Sequence, residues 1–569
     1  MGTIAGGNAT GTIQNTGGTL ALTKTGNTDF ILSGTNTYNG ATTVNQNRLF
    51  IASSAAFSPN TAVTVNNGAS LILNASGAPT FAQSITLNSI SNLSLRQAAT
   101  LSNVILPTSG GVIFNNDDVA TQAFTLASAV TLGGSMNVQI GGGPGAPGIV
   151  TLTGILSGNG GSLVKTGSGQ LALGGANTFG GGVTIRNGTL ESKTTTTTLG
   201  TGTVTIGGAG STGATFITGQ NNSNPFVINA PDSGTVVIGT NGGGSGFTMS
   251  GPVTLNGNLT LQTFNNPING TIKAGVSLTG GVSGTGNLLL NNLGLAANTI
   301  TIATTAVNHA GTITLQGSAT GATTIRAGIG SNVTGITQNS ATSLMILSGA
   351  NTYPGNLTVN AGLVRLSNAP DPLNANPGND ASIVTIAATG ATLNLTYTGT
   401  DKVDKLVIGS TQQANGVYGK VGSTLPVIGI SQITGDGTLT VGDGTPAGFS
   451  SWITGTFANG TVPGGQQGPN DDFDKDGISN LVEYAIAGQD PTVGNSAIST
   501  FNAGTLSFSK RLDATGITYD IESSTLLTAV SWTTLAKPPV VEIAGSISYT
   551  FTLSTPVKNF ARLKVTQMP

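Results

Sequence analysis

Residues 472–483 read DFDKDGISNLVE and concentrate potential metal ligands in one short segment. Carboxylates alternate along it, a glycine follows at the sixth position, and a glutamate stands at the twelfth. Oxygen ligands in this spacing converge on one hard divalent cation, because the glycine permits a sharp turn and the last glutamate can bind through both oxygens. The sequence therefore predicts a calcium site formed by Asp472, Asp474, Asp476, Ile478 (through its carbonyl oxygen), Asn480 and Glu483.

The spacing of this segment is that of an EF-hand calcium loop, but its surroundings differ from those of a calcium sensor. The sequence shows no second loop, and residues 459–470 (NGTVPGGQQGPN) do not form a strong entering helix. The segment thus resembles the single calcium loops of dockerins and thrombospondin type 3 repeats, which implies a structural role. A solvated acidic linker followed by a capped helix is the simpler alternative. Without a cation, the clustered carboxylates would repel one another and leave this segment loose.

Residues suited to catalysis are scarce. The chain has one histidine, His309, and no cysteine, so thiol catalysis and disulfides are excluded and a Ser-His-Asp triad is restricted to one position. Residues 1–442 carry only ten acidic and twelve basic side chains. We predict no catalytic or cofactor-binding residues and no enzymatic activity. A polysaccharide-active β-helix enzyme remains an alternative, since such enzymes use clustered Asp, Arg and Lys.

A repeated sequence pattern predicts the secondary-structure elements that position these residues. Residues 163–190 read LVKTGSGQLALGGANTFGGGVTIRNGTL, and residues 22–49 and 336–363 follow the same pattern. Apolar residues alternate with Thr, Ser and Asn, which is typical of strands, and glycines separate the strands. We predict a long parallel β-helix (solenoid) of about 20–25 residues per coil, with aliphatic side chains inside. A series of β-sandwiches is the competing architecture.

These repeats resemble the autotransporter-associated β-strand repeat, also called the passenger-associated transport repeat. The motif residues are Lys24-Thr25-Gly26, Asn36-Thr37-Tyr38, Lys165-Thr166-Gly167, Asn177-Thr178-Phe179, Gly188-Thr189-Leu190 and Asn351-Thr352-Tyr353. The third copy departs from the pattern, because Gln338-Asn339-Ser340 replaces the Lys-Thr-Gly triplet. The resemblance implies a right-handed β-helix that is secreted or exposed at the cell surface. The first residues, MGTIAGGNATGTIQNTGG, lack the pattern of a signal peptide.

Composition changes near Gly442 and suggests three regions. We predict a β-solenoid over 1–442, a linker with the calcium loop and a short helix over 443–496, and a small antiparallel β-domain over 497–569. Only 7% of the residues are charged, the net charge is −2, and no basic patch occurs, which argues against nucleic-acid binding. No apolar run reaches the length of a membrane span.

These features predict an extracellular structural protein. A solenoid has strand groups at its ends that must be capped or paired, and no polar capping helix is visible near the start of the sequence. We therefore expect head-to-tail self-association into a surface fibre or matrix. The alternative is a monomeric adhesin that presents 497–569 to glycans or cells.

Overall fold

The structure is a computed structural model of the 569-residue chain. It describes all residues except 1, 60, 116–122, 144–145, 194–197, 241–246, 264–274, 294–298, 368–381, 424–426, 443–446, 455–459, 495–497, 503, 512–513, 526–531, 537–539, 544–545, 551–559 and 568–569. The chain divides into two compact units, Met1–Tyr397 and Thr398–Pro569.

Short parallel strands stacked in successive coils form the first unit. Its first sheet contains Gly2–Ile4, Leu22–Lys24, Thr42–Val44, Val63–Val65, Thr80–Leu87 and Thr100–Ile105. The second sheet is 14-stranded and contains Gly7–Ala9, Phe30–Leu32, Arg48–Ile51, Ser70–Leu73, Ser91–Leu95, Gly110–Phe114, Ser135–Ile140, Ser162–Thr166, Val183–Ile185, Val204–Ile206, Phe226–Asn229, Val253–Asn256, Val282–Gly284 and Val307–His309.

Two further sheets cover the other sides of the coils. Within this unit, the third sheet contains Phe124–Leu126, Ile149–Leu152, Gln170–Leu173, Asn187–Ser192, Gly213–Thr218, Val236–Thr240, Leu259–Thr263, Leu288–Asn292, Gly311–Gln316, Val333–Gln338, Asn356–Val359 and Ile383–Ile386. The fourth contains Phe247–Met249, Val276–Leu278, Ile300–Ile302, Thr323–Ile325, Met345–Leu347, Gly362–Leu366 and Ala391–Leu395. Minor elements are the strand pairs Val130–Thr131 with Leu156–Ser157 and Gly142–Gly143 with Ala146–Pro147, and a 3₁₀ turn at Ser54–Ala56.

The register explains how the coils bury their aliphatic side chains. Leu171 pairs with Leu190 and Leu259 with Leu288, so one coil takes between about 19 and 29 residues. Equivalent inward positions stack from coil to coil, and all members of one such column are buried: Leu163, Val183, Val204, Phe226, Val253, Val282 and Val307. Each of these side chains contributes about 1.5–3 kcal/mol by burial. The predicted parallel β-solenoid is confirmed.

Glycine is required at the corners where consecutive coils come close. Gly188 has φ +69°, and a Cβ there would lie 2.5 Å from the Gly167 carbonyl oxygen. Gly167 has φ +74°, and its Cβ would lie 2.2 Å from the carbonyl oxygen of Ile140. Both the backbone conformation and the space therefore exclude a side chain. These two glycines are the glycines of the Lys-Thr-Gly and Gly-Thr-Leu motifs.

The described residues of the second unit form strands and two short helices. Its strands up to the first helix are Thr400–Val403, Lys405–Ile408, Thr411–Gln412, Gly416–Gly419, Ile428–Gly429, Ile433–Gly435, Thr438–Val441 and Ala447–Gly448. The helices are Phe449–Ile453 and Asn480–Ala485, with a 3₁₀ turn at Gly464–Gln466. A four-stranded antiparallel sheet follows, in the order Ser499–Asn502, Thr505–Ser509, Ser546–Thr550, Val540–Ile543. A three-stranded sheet contains Thr533–Thr534, Ile517–Ser524 and Phe560–Gln567, and Ala514–Thr515 pairs with Ala447–Gly448.

Both helices of this unit share a hydrophobic core with its antiparallel sheets. The ring centroids of Trp452 and Tyr484 are 5.4 Å apart, and those of Phe449 and Tyr484 are 6.0 Å apart. The Tyr519 hydroxyl donates a hydrogen bond of 2.8 Å to the Ala485 carbonyl oxygen. The predicted antiparallel sheets near the C-terminus are present, while the boundaries at 442/443 and 496/497 stay predictions. In the part of the chain that the structure describes, no helix has the length and hydropathy to cross a membrane.

Candidate functional site

The predicted calcium loop brings its first three acidic ligands together. Oxygen atoms of Asp472, Asp474 and Asp476 all lie within 4.8 Å of one another. Two oxygens that bind the same calcium ion at about 2.3–2.6 Å can be no more than about 5.2 Å apart. The three carboxylates therefore meet the distance requirement for one calcium ion, and calcium binding stays a prediction.

Main-chain N–H groups hold these carboxylates in place. The Asp476 N–H donates to Oδ1 of Asp472 and of Asp474, at 3.2 Å each, and the Gly477 N–H donates to Asp472 Oδ2 at 2.9 Å. The Ile478 N–H donates to Asp476 Oδ1 at 2.8 Å. The chain turns through left-handed conformations at Lys475 (φ 63°) and Gly477 (φ 90°). This is the sharp turn that the glycine at the sixth position is expected to permit.

Electrostatic strain is concentrated at the middle carboxylate. Burial raises the pKa of Asp474, and the neighbouring charges of Asp476 and Asp472 raise this pKa further. Asp474 Oδ2 has no hydrogen-bond partner among the described residues. A divalent cation would relieve the repulsion among the three carboxylates and supply the missing interaction of this oxygen.

The last two predicted ligands lie on the helix that leaves the loop. Asn480 and Glu483 are both fully buried in Asn480–Ala485. The Asn480 amide donates from Nδ2 to the carbonyl oxygens of Gln466 (2.9 Å) and Gly468 (3.1 Å), and its Oδ1 accepts no hydrogen bond from the described residues. Glu483 lies outside the group of three carboxylates. The structure thus brings the first three predicted ligands together and buries Asn480 and Glu483 on the exit helix, while Ile478 is half-buried.

The repeat motifs contain a second set of buried polar residues, whose roles we did not predict. Lys165 is fully buried, and its Nζ donates to three carbonyl oxygens: Thr166 (2.9 Å), Gly167 (2.8 Å) and Asn187 (3.0 Å). Asn187 belongs to the next coil. The lysine therefore ties two consecutive coils together at the corner where the backbone leaves the sheets, using all three N–H bonds of its ammonium group.

The other two repeats confirm that this position joins coils. Lys24 makes the same three bonds, to Thr25 (2.7 Å), Gly26 (2.9 Å) and Gln46 of the next coil (3.1 Å). In the third repeat, Nε2 of the buried Gln338 donates to Ser343 (2.7 Å) and to Leu363 of the next coil (3.2 Å). The departure from the motif noted in the sequence therefore preserves the bond between coils. An internal lysine at equivalent repeat positions is the signal that could have revealed this role.

The motif asparagines act in the same way on the opposite side of the coil. Asn177 Oδ1 accepts from the Leu156 N–H of the preceding coil (2.8 Å), and its Nδ2 donates to the Thr198 carbonyl of the following coil (2.6 Å). Asn36 bonds Ile13 N–H and the Ala56 carbonyl at 2.8 and 2.6 Å. Each side chain therefore adds hydrogen bonds between three successive coils at a corner that has no strand, beside main-chain bonds such as that from the Thr178 N–H to the Leu156 carbonyl oxygen (2.8 Å).

Burial lowers the pKa of two interior groups. Desolvation lowers the pKa of Lys165 to about 7. The ring of His309 is also fully buried, and burial lowers its pKa, while a hydrogen bond from Nε2 to the Thr312 carbonyl oxygen (3.3 Å) opposes this change. Nδ1 of His309 has no hydrogen-bond partner among the residues that the structure describes. The only histidine of the chain thus packs as a neutral interior residue.

These observations define a parallel β-solenoid protein whose coils are joined by repeated Lys, Gln and Asn side chains. The profile of the passenger-associated transport repeat matches residues 22–46, 163–191 and 344–366. The predicted repeat is therefore confirmed in three segments of the chain, and the match to the third segment begins after Gln338. No curated protein shows significant similarity to this chain. No solved structure does so either.

Proposed function

We propose that this chain is an extracellular structural protein, exposed at the cell surface or secreted, whose solenoid units assemble head to tail into a fibre or matrix. The observation that supports this proposal is the parallel ladder of the second sheet, which continues from coil to coil over 14 strands. A ladder of this kind resists bending and extension, because every coil is bonded to both neighbours. The three matches to a passenger repeat support the location outside the cell.

The charge of the chain favours self-association. Charged residues make up only 7% of the sequence, and the net charge is −2. Copies of a nearly neutral protein meet without strong electrostatic repulsion. Contacts between solenoids would therefore depend on strand pairing and packing, and would respond weakly to salt.

Calcium has a structural role in this proposal. The ion would be held by the side chains of Asp472, Asp474 and Asp476 together with the Ile478 carbonyl oxygen, Asn480 and Glu483. Because the exit helix lies in the core of the second unit, loop and core would be stabilised together. Calcium would thus make the C-terminal unit resistant to unfolding outside the cell, where this ion is abundant.

Electron microscopy of the purified full-length chain, with and without calcium, tests the assembly. We expect unbranched filaments whose length increases with protein concentration and changes little between low and high salt. Discrete particles of one chain at all concentrations would exclude the fibre. The adhesin alternative then gains support if the same preparation binds immobilised glycans.

A further inference from the structure

A short non-helical segment, residues 466–471, leads into the predicted calcium loop, and we call it the entering arm. Residues 460–471 contain the 3₁₀ turn Gly464–Gln466 and no α-helix. In an EF-hand, by contrast, a helix on each side of the loop holds it in place. Contacts of another kind must therefore hold the first predicted ligand, Asp472, which directly follows the arm.

Main-chain hydrogen bonds join the entering arm to the first residues of the exit helix. The Asn480 N–H donates to the Asp471 carbonyl oxygen at 2.8 Å, and the Leu481 N–H donates to the Pro469 carbonyl oxygen at 3.2 Å. The first N–H groups of a helix have no partner within the helix, and the N-cap residue Ser479 makes no side-chain capping bond. The entering arm therefore caps the exit helix, and the helix in turn fixes the arm.

The buried side chain of Asn480 strengthens this connection. Its Nδ2 donates to the carbonyl oxygens of Gln466 (2.9 Å) and Gly468 (3.1 Å), so both amide hydrogens are used on the arm. Gly468 and Asp471 bond each other, through the Gly468 N–H to Asp471 Oδ2 (2.8 Å) and the Asp471 N–H to the Gly468 carbonyl oxygen (3.1 Å). The bonds from Asn480 thus reach the residue that directly precedes Asp472.

We propose that Asn480 is the positioning residue of the loop: by tying the entering arm to the exit helix, it holds Asp472 where it can share an ion with Asp474 and Asp476. This inference rests on the calcium binding proposed above, and it gives Asn480 a second role beside that of a ligand. Residues that orient metal ligands through hydrogen bonds change the metal affinity by about 10–100-fold when they are replaced. Positioning requires the two N–H donors of the amide, whereas a ligand requires only an oxygen atom.

Replacing the amide by a carboxylate separates the two roles. Asn480→Asp keeps the size of the side chain and supplies a charged oxygen, but it cannot donate to the two carbonyls of the arm. A residue that acted only as a ligand would then bind calcium more tightly, because the charge of the ligand set increases. We expect instead that the full-length variant binds calcium about tenfold or more weakly in isothermal titration calorimetry. The control is Asn470→Asp, which adds the same charge at an exposed position of the arm and should bind calcium as the parent does.

A second variant avoids placing a charge in the core. Asn480→Ser keeps an oxygen that can bind the ion, but its single O–H cannot bond both carbonyls, so we expect a similar loss of calcium affinity. Hydrogen exchange in the presence of a chelator measures the arm without the ion. Residues 466–471 should exchange about tenfold or more faster in Asn480→Asp and Asn480→Ser than in the parent or in Asn470→Asp.

The outcomes separate this inference from the calcium role on which it rests. Calcium binding at the strength of the parent by Asn480→Asp or Asn480→Ser, or unchanged exchange of the arm, would overturn the positioning role and leave the calcium site in place. A parent chain that binds no calcium would overturn the calcium role itself, and this inference with it.

Discussion

Single buried side chains in this protein add hydrogen bonds between consecutive coils at the corners of the solenoid. Lys24, Lys165 and Gln338 stand at the same position of three repeats and each bonds a carbonyl of the next coil. A carbonyl that is buried without a donor costs about 1–3 kcal/mol. The identity of the side chain can therefore change as long as it supplies N–H donors toward the next coil.

The first prediction concerns this donor. We expect Lys165→Met to lower the free energy of unfolding by about 2 kcal/mol, since three carbonyls lose their donor, and Lys165→Gln to lower it less, because glutamine serves this role at Gln338. Denaturant unfolding followed by circular dichroism measures both changes. The control is Lys193→Met, because Lys193 is exposed and lies directly after the strand Asn187–Ser192. A Lys165→Met protein as stable as the parent would refute the bonding role.

The second prediction concerns His309. Its pKa is lowered in the folded state, so the unfolded chain binds more protons once the pH falls toward 6.5. The stability that neutral His309 contributes is present at pH values above the pKa of this histidine in the unfolded chain. It is lost as the pH decreases below that pKa. We expect the free energy of unfolding to fall between pH 7 and pH 5, and His309→Gln to remove part of this dependence. The same pH dependence in parent and variant would show that other groups are responsible.

Among the elements, the predicted calcium loop leads directly into the helix Asn480–Ala485. Asp472, Asp474 and Asp476 come from the loop, whereas Tyr484 and Ala485 of the helix are fully buried in the core of the second unit. An ion bound by the loop would stabilise the helix that the loop leads into, and therefore the core in which Trp452 packs against Tyr484. The unbound loop keeps three carboxylates close together at an electrostatic cost.

The third prediction follows from this coupling. Calcium at about 100 times its dissociation constant should stabilise the second unit by about 2.7 kcal/mol, and chelation should reverse the effect. Thermal unfolding monitored by tryptophan fluorescence measures this stabilisation. Asp476→Asn should abolish most of it, while Asp471→Asn removes the same charge from a residue outside the predicted ligand set. If Asp471→Asn were as damaging as Asp476→Asn, the loop would act only through its net charge.

At the scale of the solenoid unit, stability is distributed over neighbouring coils. Each coil contacts the coils before and after it, so the effect of a defect decreases along the stack. Leu261 is fully buried and pairs with Ile238 and Leu290 in the adjacent coils. The neighbouring coils should therefore respond to a cavity at Leu261 before more distant coils do.

The fourth prediction tests this locality. We expect Leu261→Ala to cost about 2–5 kcal/mol and to increase amide hydrogen exchange in the coils of Ile238 and Leu290, while exchange around Leu71 stays unchanged. Leu289→Ala removes the same atoms from a half-buried, outward-facing position and serves as the control. Uniform loss of protection along the unit would show that the coils unfold together as one cooperative body.

Local sequence patterns were sufficient for the architecture of this chain. Alternation of apolar and polar residues decides which side of a strand is buried, and glycines such as Gly188 mark corners where no side chain fits, so both the strands and their parallel stacking could be inferred. The spacing of Asp472, Asp474 and Asp476 likewise predicts their convergence, because all three lie within five residues. Structure that depends on residues close together in the sequence can therefore be predicted from the sequence alone.

Contacts between segments that are distant in the sequence could not be predicted and are seen only in the folded structure. The partner of Lys165 in the next coil is Asn187, 22 residues away, and the Lys-Thr-Gly motif alone does not name it. The burial of Asn480 and Glu483 follows from packing of the exit helix with strands more than twenty residues further along, and the exposure of Phe501 follows from its place at the edge of a sheet. Burial and hydrogen bonding across coils are properties of the assembled chain, since they depend on which surfaces other segments cover.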